Sequence, residues 1–493
     1  MDLKKGADLG DLLPQFISQN ESSKEFDLEY KTQMWELMVQ ELSSTKVPSY
    51  HEEALKSLKI LSRDKQNLNE LIKEESIGVL LKYGLELPYK ESQIQALSCL
   101  NNLLLQNEKT SAICSNSAVL KSILHKIEVS YSSDENKDNP PLQHLLGITV
   151  IITILKPIAR EIIVKECRGN EILLNLYEFL LYKDKSSNNV GVLCETSKLL
   201  YNIWLLANGD NSKDQYERGV NLIRNVFTTF GSHPEKEKII KNSINLLSAI
   251  PPHLYSNLLI VSSEEEVSMT VPKECLNYLL SHLDDDELEL EESISPTLMF
   301  LCQFSRQNRN VRKYLRRVIL PPLKAVQNRP EIGNEPRNKL CKLLTSPTTS
   351  IETLSSEFLF VLCKEQVDRM VKYTGFGNAA GLLARKGLLN RTGRNTDYSD
   401  EDSETEEYVS NSHKINPVIG CIDKPRPSPF EGMSEERKEY EAMKLVSLID
   451  KLNGQGLIRP AMPGPDGQPV PVDHMMQITE RIQAQDLSND ESD

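Results

Sequence analysis

At 493 residues, with 39% hydrophobic and 26% charged residues, the chain is long enough for a large elongated body and has the make-up of an ordinary soluble protein. Its net charge of −14 argues against wholesale nucleic-acid binding. The opening MDLKKGADLGDLL has no apolar core of signal-peptide length, and no run approaches the roughly 18 apolar residues of a membrane span.

The first 48 residues read as a helical cap. Leu12, Leu13, Phe16 and Ile17 are spaced for one helix face, and Trp35, Leu37, Met38 and Leu42 for another. A repeat then begins. Ala54, Leu58 and Leu61 are answered by Ala96, Leu100 and Leu103, a period that fits armadillo or HEAT stacking. Looser copies occur at Leu199–Leu206, Ile244–Ile250, Leu298–Phe304 and Phe358–Val361. The apolar run Leu145–Leu155 reads as a buried helix. Polar breaks at 132–141, 183–189, 207–213 and 262–272 separate the helix groups. The spacing predicts an all-α armadillo/HEAT-like superhelical solenoid over 1–390, with about nine repeats.

The stretch Ser355–Leu389 closes that body. Its glycines Gly375, Gly377 and Gly381 predict a tight turn with positive φ at one or more of them, a hinge for the arm downstream. The G-x-G-x-x-x-G spacing superficially resembles a dinucleotide loop, but it comes after a helical pattern and has one residue too many. Residues 391–432 read as a flexible linker. It contains DYSDEDSETEE (397–407), seven carboxylates in eleven residues, and a proline-broken stretch at 416–432. Ser399 and Ser403 sit in contexts suited to an acidophilic kinase. A helix is predicted at 433–454: Ser434 N-caps it, and Ala442, Leu445, Ile449 and Leu452 form one apolar stripe. Residues 455–493 read as a mobile tail with a last amphipathic candidate at Val472, Met475, Met476 and Ile482.

The nine cysteines occur singly, with no CxxC pair; disulfides, a zinc site and any other metal or cofactor are not expected, and a reducing cytosol fits. No nucleophile, P-loop or metalloprotease motif occurs, so no bond chemistry is predicted. A solenoid instead acts through its groove. Lys59 and Arg63 suit a carboxylate, and Asn102, Asn202 and Asn245 lie at equivalent places in their units, where an amide can grip a peptide backbone. Arg312, Lys313, Arg316 and Arg317, and the group Arg337, Lys339 and Lys342, flank the groove or form solvated faces. On these residues a passive peptide-binding scaffold or transport adaptor remains the alternative reading.

The segments LSRDK (61–65), LPPLKAVQNRPEIGNEPRNKL (320–340), SEFLFVLCKEQVDRMVKYTGFGNAAGLLARKGLL (356–389), INPV (415–418) and EGMSEERKEYEAMKLVSLIDKL (431–452) closely resemble the synembryn family. These are cytosolic chaperones and guanine-nucleotide exchange factors for heterotrimeric G-protein α subunits. The resemblance implies a superhelix that holds the C-terminal helix and free carboxylate of Gα, GDP-bound or nucleotide-free. It implies contacts at Lys59, Arg63, Asn102, Tyr201 and around Arg337, with the 434–453 helix on the nucleotide-binding domain. Lys59 stands where the family often has arginine, and Asn242 where it often has histidine. The acidic stretch matches the family's phosphorylated segment. The expected protein is a cytoplasmic monomer without a transmembrane segment, recruited to the cell cortex or plasma membrane through Gα.

Overall fold

The computed structural model describes residues 9–66, 68–132, 140–182, 187–205, 212–260, 267–285, 287–324, 326–389, 405–423, 432–463, 468–472 and 474. The polar breaks expected between helix groups fall largely outside these residues. The chain divides into two compact units, Met1–Tyr278 and Leu279–Asp493.

The fold is all-α, a repeat solenoid of the armadillo/HEAT kind. In the first unit, the helices His51–Leu61, Lys90–Gln106, Pro140–Leu155, Ser187–Leu205 and Lys236–Ser248 pack each against the next in chain order. We call them rungs one to five. Their apolar residues recur every three or four positions, so one face of each rung is buried: Leu97, Leu100, Leu103 and Leu104 on rung two are at most 3% exposed. Rung two ends through local chemistry. Asn107 leaves the helical region at φ −138° and its side chain accepts from Thr110 N (2.9 Å), capping the next helix, Glu108–Cys114.

The cap consists of helices Leu9–Asn20 and Leu28–Leu42, which bury Leu13, Phe16, Trp35, Met38 and Leu42. A fully buried lysine ties the cap to rung one. Lys31 Nζ donates to the carbonyls of Asp64 (2.8 Å) and Gln66 (2.6 Å) and lies 3.5 Å from Asp64 Oδ2. Asp64 in turn accepts from Phe26 N and Gln66 N. Burial pulls the Lys31 pKa down, and the Asp64 carboxylate opposes that shift. The sequence offers no cue to this pair, which spans 33 positions.

In the second unit, helix Glu287–Gln307 packs on Arg309–Ile319 and Thr349–Leu362, and Phe376–Arg385 packs on Thr349–Leu362 and Val367–Thr374. Within the segment read as linker, residues 405–423 dock on this unit. They form a short helix, Glu406–Asn411, and an antiparallel pair, Ile415–Asn416 with Cys421–Ile422. Thr405 Oγ1 donates to Leu323 O, and Ile422 N to Val326 O (2.9 Å). Phe376 N donates to Pro417 O and Gly377 N to Val418 O, both at 2.9 Å. These two N–H groups open helix Phe376–Arg385 and have no partner within it, so the returning strap caps the helix. Composition alone predicted disorder here; the buried Cys421 and these backbone bonds supply what composition does not show.

The strap crosses the turn where two glycines meet. Gly375 has φ +76° and Gly420 φ +69°. A Cβ on Gly420 would lie 2.8 Å from Pro330 Cγ and 3.0 Å from Gly375 Cα.

This packing sets two stability outcomes. Asp64→Ala leaves the Lys31 ammonium buried without its counter-charge and is expected to lose about 3–5 kcal/mol in urea unfolding; a loss below about 1 kcal/mol would show that the carbonyls alone suffice. Gly420→Ala combines a left-handed φ with steric overlap and is expected to lose about 2–3 kcal/mol. Gly432→Ala, at φ +82° with nothing within reach, is expected to lose only about 1 kcal/mol, and equal losses would rule out the crowding.

Candidate functional site

The residues singled out from the sequence fall into three groups. The first lies at the end of rung one. Ser62 Oγ donates to Lys59 O (2.7 Å), and Asn102 Nδ2, reaching back from rung two, donates to Ser62 Oγ (2.9 Å) and Lys59 O (3.4 Å). Gln106 Nε2 donates to Ser62 O (3.2 Å). Arg63 Nη1 donates to Glu21 O (2.5 Å). The structure therefore brings Lys59, Arg63 and Asn102 together. Lys59 is half-buried. Burial pulls its pKa down first, and the positive Arg63 and Lys56 add to that. An ammonium in this state gains more than an exposed one from an arriving anion. The Arg63 turn is the same turn that Lys31 holds.

The asparagines serve a different purpose from the one their sequence positions suggest. Asn202 is buried, and its Nδ2 donates to Thr153 Oγ1 (2.9 Å) and Val150 O (3.3 Å) on rung three. Asn102 and Asn202 thus make the same link to the preceding rung, a hydroxyl plus a carbonyl. Their donors are used within the fold, because each asparagine sits on the flank that faces the previous helix. Asn245, half-buried on rung five, accepts from Ser248 Oγ through its backbone carbonyl (2.6 Å). Asn242 is buried and donates to Lys238 O (2.8 Å). Tyr201 is half-buried beside Asn202. Ser62 and Gln106 escaped the sequence reading; the i, i+4 spacing of Asn102 and Gln106 is the signal that marks them as one polar flank.

The second group belongs to the second unit. Arg337, on helix Pro336–Leu343, is half-buried, and burial pulls its guanidinium pKa down. Lys339 is committed elsewhere: its Nζ lies 2.5 Å from Asp284 Oδ2. Of the three glycines, Gly375 has positive φ, whereas Gly377 and Gly381 lie inside helix Phe376–Arg385.

The third group is the tail helix Glu435–Gly454. Ser434 Oγ accepts from Arg437 N (3.4 Å), capping it, with Glu435 and Glu436 in the first turn. No residue of this helix is buried. Ala442 and Leu445 are exposed, and Ile449 and Leu452 are half-buried. The chain then folds back through an antiparallel pair, Ala461–Pro463 with Pro469–Pro471; Asn453 Nδ2 donates to Val472 O (3.4 Å), and His474 Nε2 lies 2.9 Å from Asp450 Oδ2. The amphipathic candidate beyond Val472 lies largely outside the described residues, as do Ser399 and Ser403. Among the described residues, no helix is long and apolar enough to cross a membrane, and no cluster of His, Cys, Asp and Glu is placed to hold a metal. All nine cysteines are buried; burial pushes the thiols of Cys99, Cys114 and Cys341 up to about 12, which keeps them protonated packing groups.

Residues 54–468 match the family model described as guanine nucleotide exchange factor synembryn. Among curated proteins, the chain is 31% identical to the chaperone Ric-8 of Drosophila melanogaster, over 99% of this chain and 98% of the relative. It is 32% identical to the chaperone Ric-8A of Gallus gallus, over 94% and 92%. A designed armadillo repeat protein aligns at 16% identity and a TM-score of 0.27, over 66% of this chain and 98% of its own. Matched over most of its length by that family model and by full-length chaperone relatives, the chain belongs to the synembryn family.

Proposed function

We propose that this chain is an exchange factor and folding chaperone for heterotrimeric G-protein α subunits. It binds the C-terminal helix of Gα at the surface of the first unit around Lys59, Arg63 and Asn102, with Tyr201 as a further contact, and it stabilises nucleotide-free Gα. The observation that carries this reading is the half-buried, electrostatically stressed Lys59 beside Arg63 on a member of an exchange-factor family. A terminal carboxylate arriving there relieves the mutual repulsion of the two cations and restores the charge interaction that burial removed.

The apolar stripe of the tail helix, exposed at Ala442 and Leu445, supplies a second contact, with the nucleotide-binding domain of Gα. Two modest grips joined by one chain raise avidity through effective concentration. Exchange is then linkage: a partner that binds nucleotide-free Gα better than GDP-bound Gα lowers GDP affinity by the same factor. The same preference favours newly made Gα as it folds, so chaperoning and exchange are one activity. Phosphorylation of Ser399 and Ser403 by an acidophilic kinase adds about −1.5 to −2 charges at each site and tunes that activity.

GTPγS uptake by purified Gα is expected to accelerate with the wild-type chain, and no acceleration would leave a passive adaptor as the better description. Lys59→Met removes a desolvated charge. It is expected to weaken binding of a free-carboxylate Gα C-terminal peptide about tenfold while leaving the melting temperature equal or higher; equal binding would refute the assigned role of Lys59. Deleting residues 424–493 spares the docked strap and removes the tail helix. That truncation is expected to keep the peptide affinity within about twofold and to abolish accelerated uptake, and full exchange by the truncated chain would refute the second contact.

A further inference from the structure

A loop of the cap runs beside the basic residues at the end of rung one. Helix Leu9–Asn20 ends there, and residues 21–27 pass the 62–66 turn before helix Leu28–Leu42 begins. The loop is pinned at several points. Ser23 N donates to Asn20 O (3.1 Å) and Phe26 N to Asp64 Oδ2 (3.2 Å). Arg63 Nη1 donates to the Glu21 carbonyl (2.5 Å). That bond holds the Glu21 backbone against the guanidinium. A glutamate side chain is too short to carry its carboxylate from there beyond the roughly 10 Å over which exposed charges act at 0.1 M salt. The same carboxylate acts on Lys59: burial, Arg63 and Lys56 lower the Lys59 pKa, and Glu21 pulls it the other way. No contact pair closes, however. Among the described residues Glu21, Lys59 and Arg63 form no salt bridge, and Glu21 is exposed. A carboxylate thus stands beside two cations without neutralising either.

We infer that Glu21 is a built-in competitor for the anion taken at Lys59 and Arg63, so that the cap, and not rung one alone, sets how tightly a free carboxylate is held. The inference rests on the reading given under Proposed function and adds to it a residue that weakens the grip. An arriving carboxylate shares the two cations with Glu21 and is repelled by it. A ligand whose terminus is uncharged escapes that repulsion, so Glu21 acts on the terminal charge and not on the rest of the ligand. Two unit charges about 7 Å apart in water interact by roughly one RT, close to a threefold change in affinity. Glu21→Gln keeps the backbone carbonyl that Arg63 uses and removes only the charge. A chaperone has a use for such a residue. Its client must leave once folded, and a competitor already in place keeps the terminal carboxylate from being trapped.

The test uses the full-length chain and one fluorescent Gα C-terminal peptide in two forms, with a free carboxylate and with a C-terminal amide. Glu21→Gln is expected to keep the wild-type melting temperature, because the side chain is exposed. It is expected to bind the free-carboxylate peptide about threefold more tightly at about 50 mM salt, and Glu21→Lys about tenfold more tightly. The amide, weaker to begin with, is expected to bind the wild-type chain and Glu21→Gln equally. Raising the salt to about 0.5 M is expected to erase most of the gain. Equal gains for both forms of the peptide overturn the inference, since Glu21 then acts on something other than the terminal charge. Unchanged free-carboxylate binding in Glu21→Gln, together with a loss on Lys59→Met, overturns the competitor and leaves the functional proposal standing. No binding of the free-carboxylate peptide to either the wild-type chain or Glu21→Gln overturns both readings.

Discussion

Everything in the first unit depends on one constraint: a rung can bury its apolar face only against the rung beside it. Rung two alone exposes Leu97, Leu100 and Leu103; stacked, all three are at most 1% exposed. At about 25 cal/mol per Å² of apolar surface, this burial far exceeds any single hydrogen bond in the unit. Burial is non-directional, however, and does not by itself fix how far one rung slides along the next. The links from Asn102 to Ser62 and from Asn202 to Thr153 do that for rung two on rung one and for rung four on rung three, since an amide displaced from its acceptor loses a hydrogen bond. Apolar area holds the stack together, and two asparagines pin the register of alternate neighbours within it.

This division of labour determines what the surface offers. With register set, the neighbours of each linked rung end are set as well. The end of rung one is cationic, with Lys59 on its last turn and Arg63 just beyond it. Lys59 is half-buried, with Asn102 and Ser62 both donating to its backbone carbonyl, and Arg63 is held by a turn that the buried Lys31 anchors through Asp64. The stressed ammonium is thus a consequence of packing several residues away. Its lowered pKa is the cost of presenting a partly desolvated charge to a ligand.

Much of this architecture was legible in the sequence, because its causes are local. Leucines at steps of three and four reveal the rungs, and Ser434 marks the start of the tail helix with short-range capping chemistry. The family resemblance pointed to Lys59, Arg63 and Asn102, which the fold does bring together. What the sequence conceals is long-range. Asn102 and Asn202 look like free peptide-gripping amides until the preceding helix is placed beside them. Lys31 looks like a surface residue of an amphipathic helix until the 64–66 turn folds over it. Residues 405–423 lie in an acidic, proline-broken stretch whose composition signals disorder, and only the partners at Leu323, Val326 and Gly375–Gly377 make them part of a folded unit.

The strap also bears on how such a chain varies. With Thr405 bonded to Leu323 and the 417–418 carbonyls capping the helix that begins at Phe376, Leu389 and Thr405 both belong to one folded unit. The entropic cost of holding two points of a chain together rises by only about 0.6 kcal/mol for each doubling of the number of residues between them. A change in the number of residues between Leu389 and Thr405 is therefore nearly neutral for folding, while the anchor points tolerate almost nothing, Gly420 least of all. Sequence can be gained or lost at that place, and a regulatory stretch can evolve there, without disturbing the body that carries it.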